Sequence, residues 1–176
     1  MLRLDFRKLR IRWEYLLGII KIGLPAGLQS MVFSLSNVVI QTAINSFGSD
    51  GIAGSTAEQN FEFMAYFVIN AFAQTATTFT SQNFAAQDKE RCKKIYRLCT
   101  FIGLASCFGL SLIFLIGRHL FIQIFSTDEN VIHYAMIRMW SVCLLELLTG
   151  VYEISGGCLR GMGHSMTPAV ITVLGT

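Results

Sequence analysis

The stretch IGLPAGLQSMVFSLSNVVIQTAINSF, residues 22–47, contains no charged side chain. A hydrocarbon core of about 30 Å is crossed by about 20 apolar residues in a helix, so this run can span a bilayer with some tilt. Uncharged stretches recur over residues 63–87 and 98–117. Together they predict an all-α fold, a polytopic transmembrane helix bundle with spans near residues 22–47, 55–86, 95–117 and 132–159. A fifth helix begins near residue 165 and has too few residues before Thr176 to cross, so the chain is expected to end inside a helix as part of a longer protein.

Composition agrees. Charged residues make up 14% of the 176-residue chain, against about 25% in soluble domains, and Phe alone occurs fourteen times. A soluble helical core would break the uncharged runs with solvated faces. The five cysteines, Cys92, Cys99, Cys107, Cys143 and Cys158, show neither CxxC nor Cys/His spacing and read as free thiols, with no metal site.

The net charge of +3 is explained by membrane orientation better than by a nucleic-acid partner. Arg3, Arg7, Lys8, Arg10, Arg12 and Lys21 precede the first span, in a basic segment 1–21 that reads as cytoplasmic and interfacial, with Trp13 and Tyr15 at headgroup level. Lys89, Arg91, Lys93, Lys94 and Arg97 follow the second span. The connections at 48–51 and 118–133 hold a single basic residue, Arg118, beside Asp50, Asp128 and Glu129. The positive-inside rule then places the N-terminus in the cytoplasm, and the expected location is the plasma (inner) membrane. No small-residue cleavage site follows the basic segment, so it is not a signal peptide.

Local signals suggest the boundaries. Gly48-Ser49-Asp50-Gly51 reads as a turn, Ser55-x-x-Glu58 and Ser126-x-x-Glu129 as capping boxes, and Gly161 and Gly163 as the end of the fourth helix. Gly23-x-x-x-Gly27 and Gly157-x-x-x-Gly161 would let helices approach closely.

Polar residues inside the spans carry the functional information. Ser30, Ser34, Asn37, Gln41 and Asn45 share one face of the first helix. Glu58, Glu62, Tyr66, Asn70, Gln74 and Ser81 share one face of the second. Unsatisfied polar groups in hydrocarbon cost several kcal/mol, so both stripes are expected to face the bundle interior or a wet cavity. Asn37, Gln41, Glu62, Asn70 and Gln74 are therefore cavity and substrate candidates. Glu146, near the middle of the fourth span, and Glu153, two turns on, are ion-coupling candidates, because mid-membrane carboxylates commonly serve ion or proton pathways. An ion pair of Glu153 with Arg160 is the structural alternative. Glu58 is expected to cap its helix. No nucleophile–base set, phosphate-binding Gly loop or Walker lysine is present, so no enzyme chemistry is expected.

Three motifs then stand in order: Ile22-Gly23-Leu24-Pro25-Ala26-Gly27-Leu28-Gln29; Ser81-Gln82-Asn83-Phe84-Ala85-Ala86-Gln87 with Arg91; and Leu159-Arg160-Gly161-Met162-Gly163-His164-Ser165 with Pro168. Over essentially the whole chain, this resembles the second lobe of multidrug and toxic compound extrusion (MATE) transporters. The resemblance implies a twelve-helix protein of two six-helix lobes, this chain being similar to helices seven to ten and the start of eleven. The first lobe of the same transporter would then be its missing partner, beside the lipid bilayer.

The resemblance further implies export of small organic, often cationic, substrates in exchange for Na⁺ or H⁺, the coupling ion being the sole cofactor. The alternatives are a lipid-linked oligosaccharide flippase of related architecture, whose cavity would carry Arg and Lys, and a truncated protein that does not transport. The motifs also depart from the family. Gln29 and Thr149 stand where some members carry coupling carboxylates, with Glu153 one turn further on. Ala85 and Gln87 stand where glycines are common, which questions the tightness of that turn.

Overall fold

A computed structural model describes residues 10 and 12–175. Of the expected basic interfacial segment 1–21, residues 1–9 and 11 lie outside the described residues. The described residues form six helices and no strand: α1 (Trp13–Asn45), α2 (Gly48–Ala85), α3 (Lys89–Ile116), α4 (Arg118–Gln123), α5 (Glu129–Gly161) and α6 (Met166–Gly175). The chain is an all-α bundle. α1 and α3 are each long and apolar enough to cross a membrane, and α5 joins them if its two halves, bent by 44° between Cys143 and Leu145, form one span.

Several boundaries differ from those read in the sequence, each for a local reason. α1 starts at Trp13 and runs without a break through Lys21 and Pro25, so Trp13 and Tyr15 occupy its first turn and not a separate interfacial helix. The reversal after α1 is made by Ser46, Phe47 and Gly48, whose φ of +79° is cheap only for glycine. α2 therefore begins at Gly48, before the expected turn has finished, and Ser55 and Glu58 lie inside it, so Ser55-x-x-Glu58 is not a cap. At α5 the cap is Asp128, whose carboxylate accepts from the Asn130 N–H at 2.8 Å, while Ser126 Oγ accepts from the Asp128 N–H at 3.2 Å. α3 begins at Lys89, capped by Asp88, earlier than residue 95.

Two helix ends close by the same motif. After α5, Gly163 takes a φ of +83°, its N–H donates to Arg160 O, and the His164 N–H donates to Leu159 O. After α2, Gln87 takes a φ of +60°, its N–H donates to Phe84 O, and the Asp88 N–H donates to Asn83 O. Both are Schellman closures. The second turn is as tight as a glycine would make it, although a glutamine stands there.

The most extensive packing joins α2 to α5, with α3 covering both. Ala57, Phe61, Ala65, Ile69, Ala73, Ala76 and Thr80 recur every three or four residues and form the buried face of α2. Small residues bring the backbones together. A Cβ on Gly157 would stand 2.6 Å from Ala73 O, one on Gly161 2.6 Å from Thr77 O, and one on Gly54 2.6 Å from Val131 O. Thr77 Oγ1 donates across this contact to Gly157 O at 3.0 Å. Gly23 and Gly27 behave differently: nothing lies within 4 Å of a Cβ at either, so that motif makes no helix contact among the described residues. At the far end of α2, Phe61 meets the rings of Phe114, Phe121 and Phe125 at 5.1, 5.8 and 5.6 Å, tying α4 to the bundle. α3 is not wholly outward-facing: Cys99, Gly103, Cys107, Ser111 and Phe114 are buried, while Phe101, Ile113 and Ile116 are exposed. α1 packs chiefly against α6.

Candidate functional site

Arg138 on α5 faces two carboxylates one turn apart on α2. Its Nε lies 2.5 Å from Glu58 Oε2, and its Nη2 donates to Glu62 Oε2 at 3.0 Å. Glu58 is the most enclosed of the three, with its side chain 1% exposed, against 19% for Arg138 and 31% for Glu62. Helical spacing explains the double contact, since residues four apart share a face and one planar guanidinium can reach both. Glu58 therefore has a fixed partner inside the bundle and does not serve as a helix cap.

Glu146 lies two turns beyond Arg138 on α5. It is buried, and its Oε1 has no hydrogen-bond partner. It lies within electrostatic reach of Glu58 and Glu62, and of the thiols of Cys107 and Cys143. Ser111, also buried, stands beside the thiols of Cys107 and Cys143. The site thus sets two carboxylates on one guanidinium, with a third, Glu146, within electrostatic reach of both carboxylates. With all three ionised it would be short of positive charge, and a buried charge must be neutralised, paired or coordinated. A proton or a small cation would supply what is lacking. Glu146 is the one of the three carboxylates without an ion pair among the described residues.

A second polar centre ties α1, α5 and α6 together. Gln29 Nε2 donates to Tyr152 Oη at 2.6 Å, and Tyr152 Oη also meets Thr172 Oγ1. Arg160 Nη1 donates to Gln29 Oε1, and its Nη2 to Glu153 Oε2, both at 3.5 Å. Glu153 is thus engaged by Arg160, as the structural alternative required, and reaches Gln29 only through that arginine. Ser165 Oγ donates to Lys21 O at 3.2 Å and pins the start of α6 to α1.

The remaining candidates are not brought into either centre. Asn37 is exposed. Gln41 Nε2 donates to Asn45 Oδ1 at 3.1 Å along α1, and Ser30 and Ser34 donate to carbonyls of their own helix. On α2, Asn70 Nδ2 lies 3.4 Å from Tyr66 Oη, and Gln74 is exposed. The α1 stripe lies on the open side of this bundle, not in its interior. The α2 stripe runs beside the buried face, enclosed only at its Glu58 and Glu62 end. Among the described residues no group of three or more His, Cys, Asp or Glu side chains is arranged to hold a metal ion. Arg138 and Tyr152 were missing from the candidates. The only sequence signal for Arg138 was its isolation, an arginine within an otherwise uncharged part of its span.

Membrane-length apolar helices packed through glycines around buried, paired charges define a polytopic α-helical membrane protein. The MatE family model matches residues 25–176, and the chain belongs to that family. It is 22% identical over 171 residues to the probable multidrug resistance protein YoeA of Bacillus subtilis, covering 95% of this chain and 36% of that protein. It is 20% identical over 163 residues to the probable multidrug resistance protein NorM of Thermotoga maritima, covering 93% and 35%. It is 24% identical over 162 residues to the multidrug export protein MepA of Staphylococcus aureus, covering 92% and 36%. The chain therefore spans about a third of the length of these relatives.

Proposed function

We propose that this chain forms part of the second lobe of a secondary active multidrug exporter, which moves small organic, often cationic, compounds out of the cell against Na⁺ or H⁺. It works with a first lobe of the same transporter, in the plasma membrane with the N-terminus cytoplasmic. Membership of the MatE family supports the transporter class, and the names of the relatives support multidrug export. The observation that carries the coupling reading is buried Glu146, without an ion pair, beside the Glu58 and Glu62 carboxylates that already share Arg138.

Cation binding at Glu146 relieves its repulsion with Glu62 and Glu58, and its release restores it. A ligand shifts a two-state equilibrium only through differential affinity, and such a cluster supplies that difference if one state is more closed around it than the other. The open stripes carrying Asn37, Gln41, Asn70 and Gln74 then line the substrate path between lobes. The flippase alternative is weaker, because Arg138 within the fourth span and Arg160 at its end are both engaged by carboxylates and not free to hold pyrophosphate.

The test is ethidium efflux from drug-sensitive cells expressing the longer polypeptide that carries these residues, with Na⁺ and pH varied. Glu146→Gln is expected to abolish ion-coupled efflux while leaving expression intact, and Glu153→Gln to impair it less, since Arg160 already engages that carboxylate. Unchanged efflux in Glu146→Gln, with its ion dependence intact, would sink the coupling assignment.

A further inference from the structure

We propose that the groove between the end of α2 and the start of α3 binds one anionic phospholipid of the adjacent leaflet. The groove has a volume of about 490 Å³ and is lined by Phe79, Gln82 and Asn83 of α2 and by Arg91, Lys94, Ile95 and Leu98 of α3. On each helix the spacing is that of a single face. Its chemistry is graded as a phospholipid is graded. Arg91 and Lys94 stand at the polar end, the amides of Gln82 and Asn83 follow, and Phe79, Ile95 and Leu98 complete the wall. The gradient coincides with the end of the charged run on α3, where charge ends at Arg97 and the uncharged run begins at Leu98.

Charge complementarity selects the anionic headgroup. Five basic residues face two acidic ones between positions 88 and 97. The two acids are already used: Glu90 pairs with Lys93 at 2.9 Å, and Asp88 accepts from the Arg91 backbone N–H at 3.0 Å. Among the described residues, no carboxylate engages Arg91, Lys94 or Arg97. A second cavity, of about 660 Å³, adjoins the first and shares Arg91 and Lys94 with it. Basic pockets beside membrane helices attract anionic lipid with a free energy that grows with each cation near the surface. This inference needs the membrane reading of the fold and not the transport reading.

The test is native mass spectrometry of the full-length polypeptide after exchange into mixed phosphatidylcholine and phosphatidylglycerol. Phosphatidylglycerol should be retained in preference to phosphatidylcholine, and Arg91→Gln with Lys94→Gln should weaken its retention about thirtyfold. The same charge loss at Lys89→Gln with Lys93→Gln should change it little. Because the Asp88 cap uses the Arg91 backbone, helicity by circular dichroism should be unaltered in both pairs. Equal weakening by the two pairs would mean a diffuse basic surface and overturn the site. Displacement of the lipid by inorganic phosphate would mean a free-anion site. Absence of retained lipid on the unmodified protein would mean that other parts of the polypeptide cover the groove.

Discussion

Replacing Gly157 by alanine drives a methyl group into the α2–α5 contact at its closest point. The new Cβ would stand 2.6 Å from Ala73 O and 3.0 Å from Thr77 Oγ1. The first atom is backbone on a long helix and cannot rotate away, so the helices must part by about 0.8 Å, from 2.6 to 3.4 Å, to reach ordinary contact. A gap of that size forfeits about a quarter to a half of each dispersion contact it opens, and overpacking of this kind costs about 1–3 kcal/mol. The Thr77 hydroxyl would also lose its bond to Gly157 O, worth about 0.6 kcal/mol in a membrane protein. Against this, alanine favours the helix by about 1 kcal/mol. The net expectation is destabilisation of about 1–2 kcal/mol. Gly27→Ala is the matched control, because nothing lies within 4 Å of its Cβ and only the helix-propensity gain remains. The assay is reversible unfolding of this chain in mixed micelles, followed by far-ultraviolet circular dichroism as sodium dodecyl sulfate is raised. If the two variants shift the midpoint equally, the close-approach argument is wrong.

Two further substitutions test the buried charges and the α2–α3 turn. Arg138→Met strands Glu58 in the bundle without its ion pair, at an expected cost of about 3–5 kcal/mol, and adding Glu58→Met should recover much of it. In the same unfolding assay, a double variant no more stable than the single would show that the pair is not the reason. Gln87→Gly removes the penalty of a left-handed non-glycine residue, about 1 kcal/mol, and should raise the unfolding midpoint. A lowered midpoint would mean that the Gln87 side chain makes a contact worth more than the strain.

Both GxxxG motifs look alike as sequence, and the structure separates them. Periodicity says which residues share a helix face, but not which helices meet, and that is why Gly157 and Gly161 could be grouped but not assigned to α2. The same gap explains Glu58. Its capping role depended on α2 starting at Ser55, and the start is set instead by the positive φ of Gly48, which no pattern of hydrophobicity records. Once α2 is extended back to Gly48, Glu58 falls about two further turns inside and needs a partner. Arg138 was visible as the isolated cation of its span, yet pairing it required the register of α5 on α2. The uncharged runs and the family motifs needed no such register and were legible from residue type and spacing alone.

The order of charges along α5 strengthens the case for Glu146. Arg138 and Arg160 are 22 residues apart, at most about 33 Å along a helix axis, close to the thickness of a bilayer core. Each arginine near an end is engaged by glutamates, Arg138 by Glu58 and Glu62, and Arg160 by Glu153. Glu146 lies between them, about 12 Å along the axis from Arg138 and just past the bend between Cys143 and Leu145. A fixed ion pair holds its charge whatever the state of the protein, whereas a buried carboxyl oxygen without a partner is costly ionised and cheap once neutralised. On the proposed coupling reading, the group to exchange its neutralising ion would be the one in the middle of the helix, which neither arginine engages. That is where a coupling ion would have to be taken up from one side of a membrane and given to the other.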